Sequence, residues 1–447
     1  MDILILILEL LVVVGAIFMG TRTSGIGLGT WGLVGTAIIV FVFQQAPGAA
    51  PVDAVFIVLT VVTAASVMQA AGGIDWLVSI AAKAIRSNPK MVTFAAPFFS
   101  FIFTVGAGTG NIFYPLIPVI YDVAYQQRIR PERPLAVAAV ASQVGIICSP
   151  VSAAVASMVV LLVPHGFQIG SLLAIMWPAS IVGLAVAALV MLRKGKDLDD
   201  DPEFQRRLAD GRIEPPADTA VQVPKTGPIS AVIFLIGVLA IIAFGFFDVL
   251  RPVIETADDG TVSRVSVAVI IQVVMGLVAG LIFLICRVPA ANVPKQSTFP
   301  AGVVGAIALF GIAWLANTFV KANEPLIVNG LGSLVAGTSA FLGALIFALV
   351  LFLVAMLTTS QSSATNAIVP IGLTIGLTAS TIAGLWPAVM GIYALPANGS
   401  QVATAGFDQT GTTTLGKYVV DHSFQLPNLV FIVTACVVGT ILATFIS

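Results

Sequence analysis

Charged residues are scarce in this sequence of 447 residues. Only 9% of the residues are Asp, Glu, Lys or Arg, whereas 58% are hydrophobic, and the mean hydropathy is +1.06. An average soluble domain carries about 25% charged residues. The composition therefore excludes an ordinary soluble domain and predicts a protein that crosses the membrane several times.

Cysteine and histidine are also rare, and their scarcity excludes several kinds of chemistry. The three cysteines, Cys148, Cys286 and Cys436, lie in apolar runs at spacings that fit no metal motif and no disulfide framework. Only two histidines are present, and the sequence contains neither His-Glu-x-x-His nor Gly-x-Gly-Asp. We therefore expect no catalytic residues, no metal site, no cofactor and no nucleic-acid partner.

Ten apolar runs approach the length of about 20 residues that a helix needs to cross a bilayer. They fall at 3–20, 28–46, 54–72, 134–163, 169–192, 229–249, 265–286, 300–320, 386–405 and 424–446. Glycine or proline and small polar residues interrupt the runs 134–163 and 386–405, which are predicted to be broken helices. The segments 91–125 and 340–377 each reverse direction at a polar tip of small residues. They predict two re-entrant hairpins in an all-α fold.

Lysine and arginine are distributed very unevenly over the predicted loops. All but three of the 20 basic residues fall on one side, and the exceptions are Arg251, Arg264 and Lys321. The positive-inside rule assigns the richer side to the cytoplasm. Both termini are then predicted to be periplasmic, with the first hairpin opening to the cytoplasm and the second to the outside. On the cytoplasmic side, the pattern from Ile74 to Lys90 predicts an amphipathic helix at the membrane surface.

The chain divides into two halves with the same order of elements. Residues 1–192 and 229–447 each contain three spans, a hairpin, a broken span and a last span, in opposite orientations. Short sequence echoes agree, since Ser149-Pro150-Val151-Ser152 in one half corresponds to Leu395-Pro396-Ala397-Asn398 in the other. The polar segment 193–228 is predicted to be a solvated cytoplasmic linker. The fold class is therefore two inverted-topology repeats, an arrangement typical of membrane carriers.

The two hairpin tips and the two helix breaks together predict a central binding site. Helices that restart there point N–H groups and the positive end of a helix dipole at a ligand, and neutral hydroxyls and amides suit carboxylates without a permanent membrane charge. The predicted substrate-binding residues are Thr109, Gly110, Asn111, Ser149, Pro150, Ser152, Ser360, Gln361, Ser362, Ser363, Asn366, Pro396, Asn398, Gly399 and Ser400. The alternative is that such residues only allow close packing or bending of helices.

Two further residues receive interpretations of their own. Glu9 lies inside the first span, where a carboxylate is either a proton-coupling group or part of a subunit interface. Tyr114 is interpreted as a core residue in preference to a cap on the ligand site.

Several motifs resemble those of one family, the bacterial anaerobic C4-dicarboxylate (Dcu) transporters. The motifs include Ala107-Gly108-Thr109-Gly110-Asn111-Ile112, Arg130-Pro131-Glu132-Arg133-Pro134 and Phe407-Asp408-Gln409-Thr410-Gly411-Thr412-Thr413. The resemblance covers nearly the whole chain. It implies an inner-membrane carrier for fumarate, succinate, malate and aspartate that works as an antiporter. It also implies a homodimer with a fixed scaffold and a transport domain that moves as an elevator.

The sequence departs from the family pattern at two places in the predicted site. Ser360-Gln361-Ser362-Ser363 stands where the family has Ser-Gln-Ala-Ala, and Leu395-Pro396-Ala397-Asn398-Gly399 stands where it has Leu-Pro-Thr-Tyr-Pro. The added hydroxyls suit either Na⁺ coordination or a more polar substrate such as aspartate, and we favour the substrate. Two alternatives to antiport stay open, a Na⁺- or H⁺-coupled importer of the same superfamily and an anion channel.

Overall fold

The computed structural model describes residues 2–23, 26–213, 223–256, 262–336, 340–396, 398–416 and 421–446. Within them the α-helices of the first half are α1 Asp2–Thr23, α2 Gly27–Ala37, α3 Val52–Ala70, α4 Gly73–Ser87, α5 Val92–Ala107, α6 Leu116–Gln126, α7 Glu132–Cys148, α8 Ala153–Leu162 and α9 Ile169–Met191. Those that follow are α10 Pro202–Ala209, α11 Gly227–Phe246, α12 Val267–Cys286, α13 Thr298–Ala336, α14 Ala340–Thr358, α15 Gln361–Thr374, α16 Ala379–Leu385, α17 Gly399–Phe407 and α18 Gln425–Ala443. Strands β1 Val253–Thr256 and β2 Val262–Arg264 form one antiparallel hairpin.

Nine helices of the described ranges are long and apolar enough to cross a membrane. Seven of them coincide with predicted spans, and the other two, Pro89–Ala107 and Phe341–Thr358, are the first arms of the predicted hairpins. The three remaining predicted spans correspond to shorter apolar helices at Leu4–Gly20, Gly27–Val42 and Ala379–Tyr393. The structure is therefore that of an all-α polytopic membrane protein.

The helix α13 is longer than the predicted span 300–320. It runs from Thr298 to Ala336 and contains Pro325. The apolar run ends at Lys321, a charged residue. Lysine is nevertheless a good helix former, so it does not end the helix itself.

Close packing between α2 and α13 depends on glycine. A Cβ atom on Gly311 would lie 1.9 Å from the backbone oxygen of Gly29, and one on Gly29 would lie 2.1 Å from the backbone oxygen of Ile307. Small residues allow this approach, and dispersion contacts then hold helices together where lipid gives no hydrophobic driving force. In the rest of the molecule α5 packs on α7, α9 on α18 and α3 on α12.

A helix ends and a new one begins at both predicted hairpin tips. After α5, Gly108 adopts a left-handed conformation with φ of +71°, and a short 3-10 helix, Gly110–Phe113, leads into α6. After α14, Thr359 has φ of +49° and α15 begins at Gln361. Both turns thus place a left-handed residue directly before a new helix start.

Helices are interrupted at both predicted breaks. The first gap separates α7, which ends at Cys148, from α8, which begins at Ala153. The second follows the 3-10 helix Trp386–Tyr393 and ends where α17 begins at Gly399. The second interrupted element is therefore 3-10 helical before its break, and α16 precedes it.

The first part of the predicted linker is not a solvated tether. Leu198 and Phe204 are completely buried, and Asp201 caps α10 and forms an ion pair with Arg130. Arg128 lies over the ring of Phe204. The sequence expectation is wrong here because buried apolar residues are interspersed among the charges, and these anchor the segment. Residues 214–222 of the linker lie outside the described residues.

Candidate functional site

Four of the predicted site residues are N-caps of the helices that restart after the tips and breaks. A side-chain oxygen of each accepts a hydrogen bond from a backbone N–H one or two residues into the new helix. The pairs are Thr109 with Asn111 N at 3.2 Å, Ser152 with Val155 N at 3.1 Å, Ser360 with Ser363 N at 3.3 Å and Asn398 with Ser400 N at 3.1 Å. These oxygens therefore satisfy helix ends that lipid could not satisfy.

A polar cavity of about 400 Å³ lies where all four of these elements meet. One of its walls is formed by the first tip with Thr109, Gly110 and Asn111, by the first break with Val151, by Thr359 of the second tip and by Asn398 of the second break. A second wall is formed by α3 and α13. Residues separated by nearly 300 positions in the sequence thus share one chamber.

The polar groups at this chamber are neutral. Carboxamides come from Asn111, Gln143 and Asn398, and hydroxyls come from Thr109, Tyr114, Thr298 and Thr359. In the described part of the chain, the side-chain amides of Asn111 and Gln143 make no hydrogen bond to protein, and no charged residue lines the chamber. Free N–H donors in a cavity without fixed charge suit an anion that brings its own negative charge.

Two glycines bring the backbone close to these side chains. A Cβ atom on Gly110 would lie 2.7 Å from Nε2 of Gln143, and one on Gly399 would lie 2.9 Å from the hydroxyl of Tyr114. Any larger residue would displace the polar side chain beside it. The glycines therefore keep the amide and the phenol in position at the wall.

The remaining predicted residues lie behind this wall or beside it. Gln361 donates to the backbone oxygen of Gln143 at 2.9 Å, and Asn366 donates to Ser157 Oγ at 2.8 Å, which ties α15 to α7 and α8. Ser149 donates to Val105 O at 2.6 Å and so joins the first break to α5. Of the predicted set, Ser149, Pro150, Ser152, Ser360, Gln361, Ser362, Ser363, Asn366, Pro396, Gly399 and Ser400 do not line the cavity.

Sequence reasoning missed Gln143 and misjudged Tyr114. Gln143 is a polar residue in the apolar run Val140–Val144, and an amide buried in a membrane helix is itself a functional signal. Tyr114 was assigned to the core, yet 40% of its surface is exposed and it lines the cavity. The assignment is wrong because the helix turn that exposes Tyr114 depends on the 3-10 geometry of the tip.

Glu9 is remote from the cavity. It is completely buried between α1 and α13, where Asn323 donates a hydrogen bond to its Oε2 atom. Its Oε1 atom has no partner among the described residues. Both interpretations of Glu9 stay open. No group of three His, Cys, Asp or Glu residues suited to a metal ion occurs within the described ranges.

Comparison with known proteins identifies the family. The family described as anaerobic C4-dicarboxylate membrane transporter matches residues 5–447. The anaerobic C4-dicarboxylate transporter DcuB of Escherichia coli O6:H1 is 37% identical over 98% of each chain. The C4-dicarboxylate transporter DcuA of Escherichia coli K12 is 34% identical over 98% of this chain and 99% of its own length, and DcuA of Wolinella succinogenes is also 34% identical.

A solved structure supports the fold. MtrF of Neisseria gonorrhoeae superposes with a TM-score of 0.57 over 96% of this chain and 97% of its own, at 14% identity. At that identity the likeness concerns the fold alone. The relatives of known name are membrane transporters and not enzymes. The resemblance seen in the sequence motifs is therefore confirmed, and the chain belongs to the anaerobic C4-dicarboxylate membrane transporter family.

Proposed function

We propose that this protein carries C4-dicarboxylates across the bacterial inner membrane by exchanging one dicarboxylate for another. The observation that carries the proposal is the chamber of neutral donors bounded by Asn111, Gln143 and Asn398. Two sources of partial positive charge meet there, the amide N–H groups and the N-terminal ends of restarted helices. These partial charges allow a dicarboxylate to leave water without a buried lysine or arginine. Such a residue would remain charged inside the membrane when the carrier is empty.

The unequal walls of the chamber support an elevator mechanism. The α3 and α13 wall consists of small apolar residues with Thr298 as its one polar member, and includes Val61, Gly302 and Gly305. The other wall carries all the remaining polar groups. A substrate that is held by the polar wall alone can move together with that wall past the apolar wall of α3 and α13. Alternating access by an elevator requires such movement against a fixed scaffold. The inverted repeats and the homodimer belong to the same proposal.

Counterflow in proteoliposomes tests the proposed activity. Vesicles loaded with unlabelled succinate are diluted into labelled fumarate, succinate, malate or aspartate. We expect saturable uptake that depends on dicarboxylate inside and continues when Na⁺ is omitted and the proton gradient is collapsed. Absence of counterflow with all four acids would reject the proposal. Uptake that needs Na⁺ or a proton gradient would indicate the ion-coupled importer, and flux that neither saturates nor responds to internal substrate would indicate a channel.

Aspartate substitutions at two amides test the site. Asn111→Asp and Asn398→Asp exchange the Nδ2 donor for an anionic oxygen, and the second variant keeps the cap oxygen that Ser400 N uses. Loss of a hydrogen bond to a charged group costs about 1.5–3 kcal/mol, so we expect apparent affinity in counterflow to fall at least about tenfold. Asn292→Asp, at an exposed position of the 3-10 helix Ala290–Lys295, is the matched control. Normal affinity in both cavity variants would place the site elsewhere.

A further inference from the structure

A second cavity, different in character, lies between α5 and α9. Its volume is about 480 Å³, and Asn88 is the one polar residue that lines it in the described part of the chain. The walls carry Met91 and Phe98 on one side and Ile181 and Ala185 on the other. None of its lining residues belongs to the polar cavity. It therefore has no part in holding the dicarboxylate.

This groove opens toward the surroundings of the helix bundle. Phe98 is 58% exposed and Ile181 is 55% exposed, and both belong to candidate membrane spans. Exposed apolar residues of a membrane-spanning helix face hydrocarbon and not water. The groove is thus accessible from the bilayer, and its occupant must be soluble in the bilayer.

Basic residues stand at one end of the groove. Asn88 and Met91, at the start of α5, and Ala188, in the last turn of α9, all line it, so the two helix ends lie at the same end of the groove. Lys90 and Arg193 are exposed at those helix ends. Both belong to the side that the charge distribution assigns to the cytoplasm. An apolar groove that ends in positive charge complements a molecule with a long apolar chain and an anionic head.

We propose that the groove binds one acyl chain of an anionic phospholipid, with the lipid phosphate beside Lys90 and Arg193. Basic pockets between membrane helices on the cytoplasmic side bind anionic head groups for this electrostatic reason. A second copy of the chain is a poorer occupant. A two-fold interface across the groove would set the basic end of each copy against the basic end of the other.

Native mass spectrometry of the full-length protein in detergent tests the proposal. Phosphatidylglycerol and phosphatidylcholine are added in separate titrations. Wild-type protein is expected to bind phosphatidylglycerol at roughly 25-fold lower concentration, since each of the two basic residues near the head group adds about a factor of five. Ala185→Trp fills the groove and is expected to abolish the retained lipid. Val182→Trp, on the exposed face of α9 outside the groove, is the matched control and is expected to keep it.

The head-group contact is tested separately. Lys90→Ala combined with Arg193→Ala is expected to bind the two lipids equally, whereas Lys295→Ala, an exposed basic residue elsewhere on the same predicted side, keeps the preference. Dicarboxylate counterflow in each variant verifies that it is folded.

Three outcomes would overturn the proposal. Equal phosphatidylglycerol binding by wild-type protein and Ala185→Trp would exclude the groove. Equal binding of both lipids by wild-type protein would exclude the phosphate contact. If Ala185→Trp keeps its lipid but loses a dimer that wild-type protein and Val182→Trp form, the occupant of the groove is a second copy of the chain.

Discussion

Gly110 and Gln143 fit together at the polar cavity without space for another carbon. Gln143 reaches the wall from α7, and Gly110 comes from the tip after α5, so their proximity joins two elements of the predicted transport machinery. The amide of Gln143 can keep this position because Gly110 has no side chain to occupy the same space. Gly110, which has no side chain, thus determines where the amide donor of Gln143 can point.

Gly110→Ala is expected to weaken dicarboxylate binding without reducing the amount of folded protein. The new Cβ would lie 2.7 Å from Nε2 of Gln143, so the flexible amide must turn away and its donor is lost. We expect the counterflow KM to rise about tenfold, which corresponds to the loss of one hydrogen bond to a charged group. Gly276→Ala is the control, because nothing lies within 4 Å of its added Cβ. An unchanged KM in Gly110→Ala would show that Gln143 does not contact substrate.

His422 makes the stability of the second break dependent on pH. Its Nε2 atom lies 3.1 Å from the backbone oxygen of Ala394, just before the break, and its ring is buried. Burial lowers the pKa of His422 below its ordinary value of 6.5, although the bond to Ala394 opposes the shift. As the pH decreases below about 6.5, His422 is protonated more readily in the unfolded chain than in the folded chain. The free energy of unfolding therefore falls as the pH decreases below about 6.5.

The prediction for His422 is a pH-dependent unfolding temperature. Each pH unit below about 6.5 removes at most about 1.4 kcal/mol until the folded pKa is reached. Unfolding in detergent at pH 7.5 and 5.5 measures the effect. His422→Gln should reduce the difference between the two temperatures, whereas His165→Gln, at an exposed position, should retain it. Equal pH dependence in wild type and His422→Gln would contradict the assignment.

At the scale of elements, the four N-caps explain how interrupted helices survive inside a membrane protein. Each break exposes backbone N–H groups that hydrocarbon cannot satisfy. The capping oxygens of Thr109, Ser152, Ser360 and Asn398 bind some of these groups, and the rest remain for water or ligand. Gln401 adds a second bond at the last break, where its Oε1 atom accepts a hydrogen bond from the backbone N–H of Asn398.

Ser360→Ala is expected to destabilise the second hairpin. It removes the acceptor for Ser363 N, and loss of an N-cap costs about 1 kcal/mol. Ser360→Thr keeps an acceptor oxygen and should restore most of the stability. The unfolding temperature in detergent measures both, with Ser87→Ala as the control at an exposed helix end. Equal destabilisation by alanine and threonine would mean that Ser360 acts through packing and not through its cap.

At the scale of the whole molecule, Arg130 joins three distant parts of the chain. It pairs with Glu132 at 2.6 Å beside α7, with Asp201 in the linker, and with the backbone oxygen of Thr412 after α17. Asp408 further orders the last of these loops by accepting hydrogen bonds from the residues that follow it. The first half of the chain, the linker and the second half are thereby held in one network.

Breaking the pair of Arg130 and Asp201 is expected to reduce stability strongly. Arg130→Ala leaves the buried carboxylates of Glu132 and Asp201 without their cation, which costs about 3–5 kcal/mol, whereas Asp201→Ala leaves Arg130 paired with Glu132 and costs less. In a double-mutant cycle the double variant should cost much less than the sum of the two. Arg212→Ala is the control, because its exposed pair with Asp210 contributes less than about 1 kcal/mol. Additive losses in the cycle would show that the two residues act independently.

The sequence by itself determined the class of the protein, its family and the positions of its helix interruptions. Scarce charge and long apolar runs require a membrane environment, and clusters of glycine, proline and small polar residues such as Ser149–Ser152 mark places where a helix cannot continue. These features are local. The backbone must satisfy its hydrogen bonds within a few residues, so the pattern of a short segment is sufficient to predict them.

Only the tertiary structure decided which polar groups face the polar cavity. The capping oxygen of Ser152 points into its own helix, while Gln143, which the sequence pattern does not single out, and Tyr114, predicted to be a core residue, reach the chamber. The burial of Phe204 likewise depends on Arg128 and Tyr125, far from it in sequence. The direction of a side chain and the docking of a charged segment are set by helices that meet in space, and no spacing along the chain records which of them will meet.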